Sequence, residues 1–417
     1  MDLRIYNLFP RLYQTPTEWF SVAKRASEMK FNAIYLNPFL YTGGSGSIYS
    51  ISDYYRLDNV VFDGYTRKEG FQIIREFLSY CSELELLPIF DLVANHSAID
   101  SIMVRQCPHW YQHEESGEIK KPTFVDNGTL HRWHDCACFD YTGDEGLVDW
   151  VVDLCCYYLD MGFKGFRCDV AGYIPAEAWE KIISTVHIQH PQTFFMAEAF
   201  TVGKDILLQL GKAGFDYCYA SSRWWNYRNR VEQKKFWFFE NLENIRTSGM
   251  ESISFPENHD TERLMTEYNG NIEMVRQELS FIGMIGSAFQ ITSGFEYGYR
   301  TKIHVVKTDY HWQEDTNIDF TKDIRKINEL RIKYPVFRQD GEIRMYSQND
   351  ARLLVLHKIV DEQQALIVLN CTSEQFSVSV HSLLHAFDEK EWSIKDFIIA
   401  PYGVWYYVFP NVKKKLL

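Results

Sequence analysis

The run GFRCDV, Gly165 to Val170, closes an apolar stretch with an arginine and an aspartate two residues apart. Side chains alternate faces along a strand, so Arg167 and Asp169 share one face. Alone, such a pair reads as an ordinary ion pair at a sheet rim, worth about 0–1 kcal/mol when exposed. Three further apolar runs end in the same manner: DLVANH gives Asp91, Asn95 and His96, FMAEAF gives Glu198, and ENHD gives His259 and Asp260. Carboxyls gathered from several strand ends can divide two tasks. One donates a proton to a leaving atom while another supplies negative charge to an electron-poor carbon. Each residue has a structural alternative, a paired glutamate or a capping histidine, but their joint occurrence in order is hard to obtain by chance.

The elements that must position these residues follow from the hydrophobic pattern. Eight short apolar runs, at 3–9, 31–39, 86–96, 163–172, 193–200, 215–222, 252–260 and 288–296, alternate with amphipathic helical stretches such as PTEWFSVAKRASEM and PAEAWEKIISTV. Repeated strand–helix units of this kind predict a (β/α)8 TIM barrel, whose functional groups sit where strands end and loops begin. The barrel is expected over 1–96 and 145–338. The long connection at 97–144, rich in Trp, His and Tyr, is expected to be a small inserted subdomain. From 339 to 417 the runs RLLVLHKIV, QALIVLN, FSVSV and VWYYVF predict a C-terminal antiparallel β-domain.

With 417 residues the chain can bury one large domain plus a smaller one. Its net charge of −13 argues against nucleic acid or an anionic membrane as partner. Aromatic residues form 16% of the chain, enough to offer ring faces to sugars beyond what a core requires. Nine cysteines without a regular framework suit a reducing compartment. The expected location is cytoplasmic, or exported without a cleavable leader, since the chain opens on strand-like residues.

The four charged strand ends resemble the four motifs of the α-amylase family, glycoside hydrolase family 13, in their order and strand positions. The likeness runs over nearly the whole chain. It implies a retaining enzyme acting on α-linked glucans or maltooligosaccharides, with Asp169 as nucleophile, Glu198 as acid/base and Asp260 as transition-state stabiliser. It further implies that His96 and His259 bind hydroxyls of the sugar being cleaved, that Arg167 orients the nucleophile, and that Tyr49 stacks beneath that sugar, with Tyr54 and Tyr55 as rivals. Asn95 matches a position that binds calcium in many members. The acidic loop that would complete a cage is not evident, so no cofactor is required and calcium is possible but not expected.

The residues themselves suggest the same division of labour. Arg167 beside Asp169 favours an ionised aspartate, while the apolar FFMA before Glu198 favours a raised pKa and an acid/base role. The sequence departs from many amylases after the nucleophile, where Gly172 and Tyr173 replace a lysine–histidine pair; Tyr173 is expected to offer a ring face to substrate. This region and ESGEIKKPTF also resemble a maltosyltransferase branch that takes maltose 1-phosphate. Hydrolysis is placed slightly ahead of transfer, maltose 1-phosphate is expected to be a poor donor, and a catalytically inactive glucan-binding protein ranks last. HRWHDCAC, with His131, His134, Cys136 and Cys138, lacks the usual zinc spacing, and RWWNYRN, with Trp224 and Trp225, is equally a sugar platform or core.

Overall fold

The computed structural model describes residues 2–126, 129–143, 145–200, 202–228, 234–306, 313–346, 352–379 and 395–409. Eight parallel strands close into a barrel: β1 Arg4–Leu8, β2 Ala33–Leu36, β3 Leu87–Leu92, β4 Gly165–Cys168, β5 Phe194–Ala197, β6 Tyr217–Tyr219, β7 Glu251–Ser254 and β8 Ala288–Thr292. They pair in chain order and β8 pairs back onto β1. Seven fall inside one of the eight apolar runs, and β7 begins one residue before its run, at Glu251.

These runs are continuous rather than alternating because both faces are buried. Inward residues Ile5, Tyr35, Ile89, Met196, Tyr219 and Ile253 fill the barrel. Their outward neighbours Tyr6, Ile34, Phe90, Phe195 and Cys218 pack among the core under the helices. The period of two decides where charges land. Asp91 follows Ile89 by two, Glu198 follows Met196 by two, and Arg167 is registered beside both Asp91 and Met196. All three therefore point inward at the C-terminal end of the barrel.

Among the described residues, eight helices of ten residues or more surround the strands: α1 Trp19–Glu28, α2 Arg67–Glu83, α3 Glu145–Met161, α4 Ala176–Gln189, α5 Lys204–Ala213, α6 Lys234–Ser248, α7 Ile272–Ile285 and α8 Thr321–Lys333. Local signals set their ends. Thr66 and Glu69 form a reciprocal cap at the start of α2, and Gly214, at φ 104°, closes α5 in the left-handed region that glycine favours.

Two excursions leave the barrel on its functional side. After β3, His96–Ala98 pairs with Cys136–Cys138, and Thr123–Asp126 pairs with Thr129–Arg132. The excursion thus begins at His96, one residue before the expected boundary. The other, after β2, pairs Leu40–Thr42 with Ile51–Leu57 and was not anticipated. Beyond α8, β9 Glu342–Tyr346, β10 Leu353–Val360, β11 Gln363–Asn370 and β12 Val404–Val408 form an antiparallel sheet in chain order. It docks on α7, where Lys358 donates to the carbonyls of Met284 and Ile285 at 3.1 and 2.7 Å. The KKKLL tail lies outside the described residues. Among the described residues no helix is long and apolar enough to cross a membrane.

Candidate active site

One buried guanidinium organises the barrel mouth. Arg167 Nη1 lies 2.9 Å from Asp91 Oδ1 and 2.7 Å from Asp169 Oδ1, and Nη2 pairs with Glu198 Oε1. Asp91 also accepts from Tyr35 and, at 2.9 Å, from Tyr49. Burial works against the Arg167 charge, but the carboxylates of Asp91 and Glu198 more than offset it and raise its pKa. For Asp169, burial pushes the carboxyl up, Arg167 pulls it down, and Glu198 and Asp91 push it up again; the net value lies well above the usual carboxylate range.

This differs from the expected division, in which Arg167 served Asp169 and Glu198 sat in an apolar setting. Because the cation is shared among three carboxylates, one positive charge faces three negative ones, and the ionised form of Asp169 is disfavoured. Glu198 is polar in its contacts, since its Oε2 accepts the Val170 N–H at 3.0 Å. Val170 reaches that position at φ 39°, a left-handed conformation that is costly for a β-branched residue.

Tyr49 comes from the excursion after β2. Its ring stacks on His259 at 5.1 Å and 17°, the Arg167 guanidinium carbon lies 5.7 Å from its ring centre, and its hydroxyl accepts from Asn37 at 2.9 Å. The rivals lie elsewhere: Tyr54 is buried, with its hydroxyl on the carbonyls of Val93 and His96, and Tyr55 packs on Tyr157. His96 is buried, and desolvation lowers its pKa to about 4, partly opposed by a hydrogen bond to the Tyr49 backbone. It is therefore neutral at pH 7, and its Nδ1 has no hydrogen-bond partner.

Asp260 sits at the rim with its side chain 59% exposed, 3.4 Å from His259 Nε2. Its turn is fixed internally, since Asn258 Oδ1 accepts the N–H groups of Asp260 and Thr261, each at 3.1 Å. Beneath the turn, Arg263 and Glu257 form a buried pair at 2.6 Å, and Glu257 also accepts the Leu264 N–H. Tyr173 is 51% exposed at the end of the turn after β4. Gly172 fits because a Cβ there would come within 2.7 Å of Val202.

The structure thus gathers Asp91, Arg167, Asp169, Glu198, Tyr49 and His259 around one opening, with Asp260 at its rim. Sequence reading missed Tyr35 and Asn37, although both lie at the end of β2 and the same strand-end rule would have found them. It also missed the floor, where Tyr219 donates to Gln290 at 2.8 Å beside Phe200 and Phe255. Trp225 packs in the core against Phe238 and Phe281; the Trp224 side chain is outside the described part. His134 is exposed while Cys136 and Cys138 are buried. Among the described residues no cluster of three or more His, Cys, Asp or Glu could hold a metal.

A family model described as the glucanotransferase domain of glycogen debranching enzyme matches residues 2–143. An α-1,4-glucan:maltose-1-phosphate maltosyltransferase from Myxococcus xanthus is 26% identical over 304 residues, covering 69% of this chain and 43% of that protein. Another from Picrophilus torridus is 23% identical over 404 residues, covering 88% of this chain and 60% of its own length. With 43% and 60% covered, the chain spans about half the length of these curated relatives. An α-amylase from Lactobacillus plantarum shares the fold with a TM-score of 0.78 at 18% identity, over 98% of this chain and 99% of its own. A cyclic α-maltosyl-(1→6)-maltose hydrolase from Arthrobacter globiformis gives 0.77 at 15% identity, over 98% and 99%.

Proposed function

On the premise that this chain is an α-amylase-family glycosidase or transglycosidase, we propose that it transfers glycosyl units between α-linked glucans with retention of configuration. The observation that carries the reading is the single buried arginine shared by Asp91, Asp169 and Glu198. In the first step Asp169 attacks the anomeric carbon as the glycosidic bond breaks, and the departing oxygen takes the proton of Glu198. In the second, Glu198 accepts the proton of an acceptor hydroxyl, whose oxygen displaces Asp169. Asp260 offers negative charge to the oxocarbenium-like carbon, while His259 and Tyr49 bind and seat the sugar. Loss of the Asp169 charge on bond formation suits a nucleophile whose buried ionised form is already disfavoured.

Water in place of the sugar acceptor gives hydrolysis, the order the sequence favoured. We place transfer first instead, a reading supported by the names of the relatives above, which are maltosyltransferases. Their names also support a second reading, in which maltose 1-phosphate is the donor. Of Lys120 and Lys121, the basic pair of ESGEIKKPTF that could meet a phosphate, Lys120 instead donates to Gln112 at 3.0 Å within the insertion, which keeps the glucan donor ahead. Intact Asp169, Glu198 and Asp260 count against an inactive binding protein.

Chromatography of products from maltohexaose alone is the test. Products both longer and shorter than the substrate are expected. Shorter products alone would make the chain a hydrolase. Phosphate release from maltose 1-phosphate with a short acceptor, while maltohexaose stays unconsumed, would establish the sugar phosphate as donor.

A further inference from the structure

The insertion after β3 carries a row of rings that the proposed chemistry does not use. His131 stacks on Phe124 with centroids 4.8 Å apart and planes at 17°, Phe124 meets Trp133 at 5.5 Å, and Trp133 meets His96 at 5.3 Å. His131 and Phe124 are directly opposed in the pairing of Thr123–Asp126 with Thr129–Arg132, so backbone register fixes their contact. The row runs from solvent inward: His131 is exposed, Phe124 and Trp133 are half-buried, and His96 is buried. Leu130, beside it on the same hairpin, is 62% exposed. Its inner end is continuous with the candidate site, because His96 hydrogen-bonds the Tyr49 backbone and Tyr49 stacks on His259.

We propose that His131, Phe124 and Trp133 form a wall that binds the α-glucan chain beyond the sugar cleaved at the Arg167 cluster. This rests on the glucan reading above and adds to it a preference for chain length. Pyranose rings present C–H faces that pack on aromatic rings while their hydroxyls remain in water, so a half-exposed row suits them. A chain of net charge −13 favours a neutral polymer over an anionic one at such a surface. The row's continuity with the mouth selects the rest of the substrate as its occupant: sugars leaving the mouth pass Trp133 first, then Phe124 and His131.

The test uses the full chain with Asp169→Asn, so that binding is read without turnover. Calorimetric titration with maltose, maltotriose and maltohexaose should show affinity rising with length. Phe124→Ala in that background should weaken maltohexaose binding roughly three- to tenfold, and maltose binding by less. His131→Ala, at an exposed position checked by circular dichroism, repeats the test without disturbing the hairpin core. An unchanged length dependence in both variants would overturn the proposal, as would equal weakening for maltose and maltohexaose, which would mark the row as mere support for His96. If the unsubstituted chain turns over no glucan but length-dependent binding persists and falls in the variants, the catalytic reading fails and the wall stands. If no glucan is bound or turned over, both fall.

Discussion

Arg167 shows how far a single residue can be read before its surroundings are known. Its place beside Asp169 follows from the strand period alone. That Glu198 and Asp91 share it does not, because register between β3, β4 and β5 is set by barrel closure rather than by any one run. The strained Val170 was equally hidden, since nothing in its type announces φ 39°. At this scale Glu198→Gln should lower kcat by about 10²–10⁴-fold, and Asp169→Asn by a similar factor or more, with both proteins still folded; steady-state rates and circular dichroism check this. Asp169 also makes a stability prediction. Its folded pKa is raised, so the stability its protonated form gives is complete below the unfolded value and lost as pH rises through the folded one. Removing the charge with Asp169→Asn should therefore raise the melting temperature at pH 7, on the order of a few degrees, and by less at pH 4. Calorimetric scans at the two pH values would show it.

The turn after β7 places His259 and Asp260, and what holds it is an element-level device. Arg263 reaches the carbonyls of Ser293 and Thr301 as well as Glu257, so it ties this turn to the loop after β8. Breaking the buried pair with Glu257→Gln should cost roughly 3–5 kcal/mol by stranding the arginine. It should also lower kcat by up to about 10²-fold through misplacement of Asp260. The double variant Glu257→Gln/Arg263→Met should recover part of the stability and little of the rate, which denaturant melts and kinetics would separate. The eight strands were legible because each is a short apolar run buried on both faces. The hairpin after β2 was not, since its strands Leu40–Thr42 and Ile51–Leu57 are brief, irregular in register and partly exposed. Tyr49 was nevertheless singled out in the sequence, through the resemblance rather than through its element.

Across the whole molecule, the β-domain is fastened to the barrel by a buried lysine. Burial lowers the Lys358 pKa to about 7, Asp340 opposes that and Arg331 assists it. Between about 7 and the ordinary 10.5 the unfolded chain holds the extra proton, so stability should rise with pH through that window. Lys358→Met should abolish the rise, although it also strands the carbonyls of Met284 and Ile285; denaturant midpoints from pH 6 to 10 would record both effects. The β-domain was readable as alternating short runs, but its buried lysine was not, because Lys358 sits within a mostly apolar strand and meets the Met284 and Ile285 carbonyls only across the domain contact. The central claim, that Asp169 forms a glycosyl bond at a mouth organised by Arg167, is tested most directly by trapping. The full chain would be incubated with an activated fluorosugar of α-glucosyl type and digested for peptide mass mapping. A single sugar on the peptide carrying Asp169, absent from Asp169→Asn, is the expected result. A label on another carboxylate, or no label together with a β-anomeric product from an α-linked substrate, would contradict it.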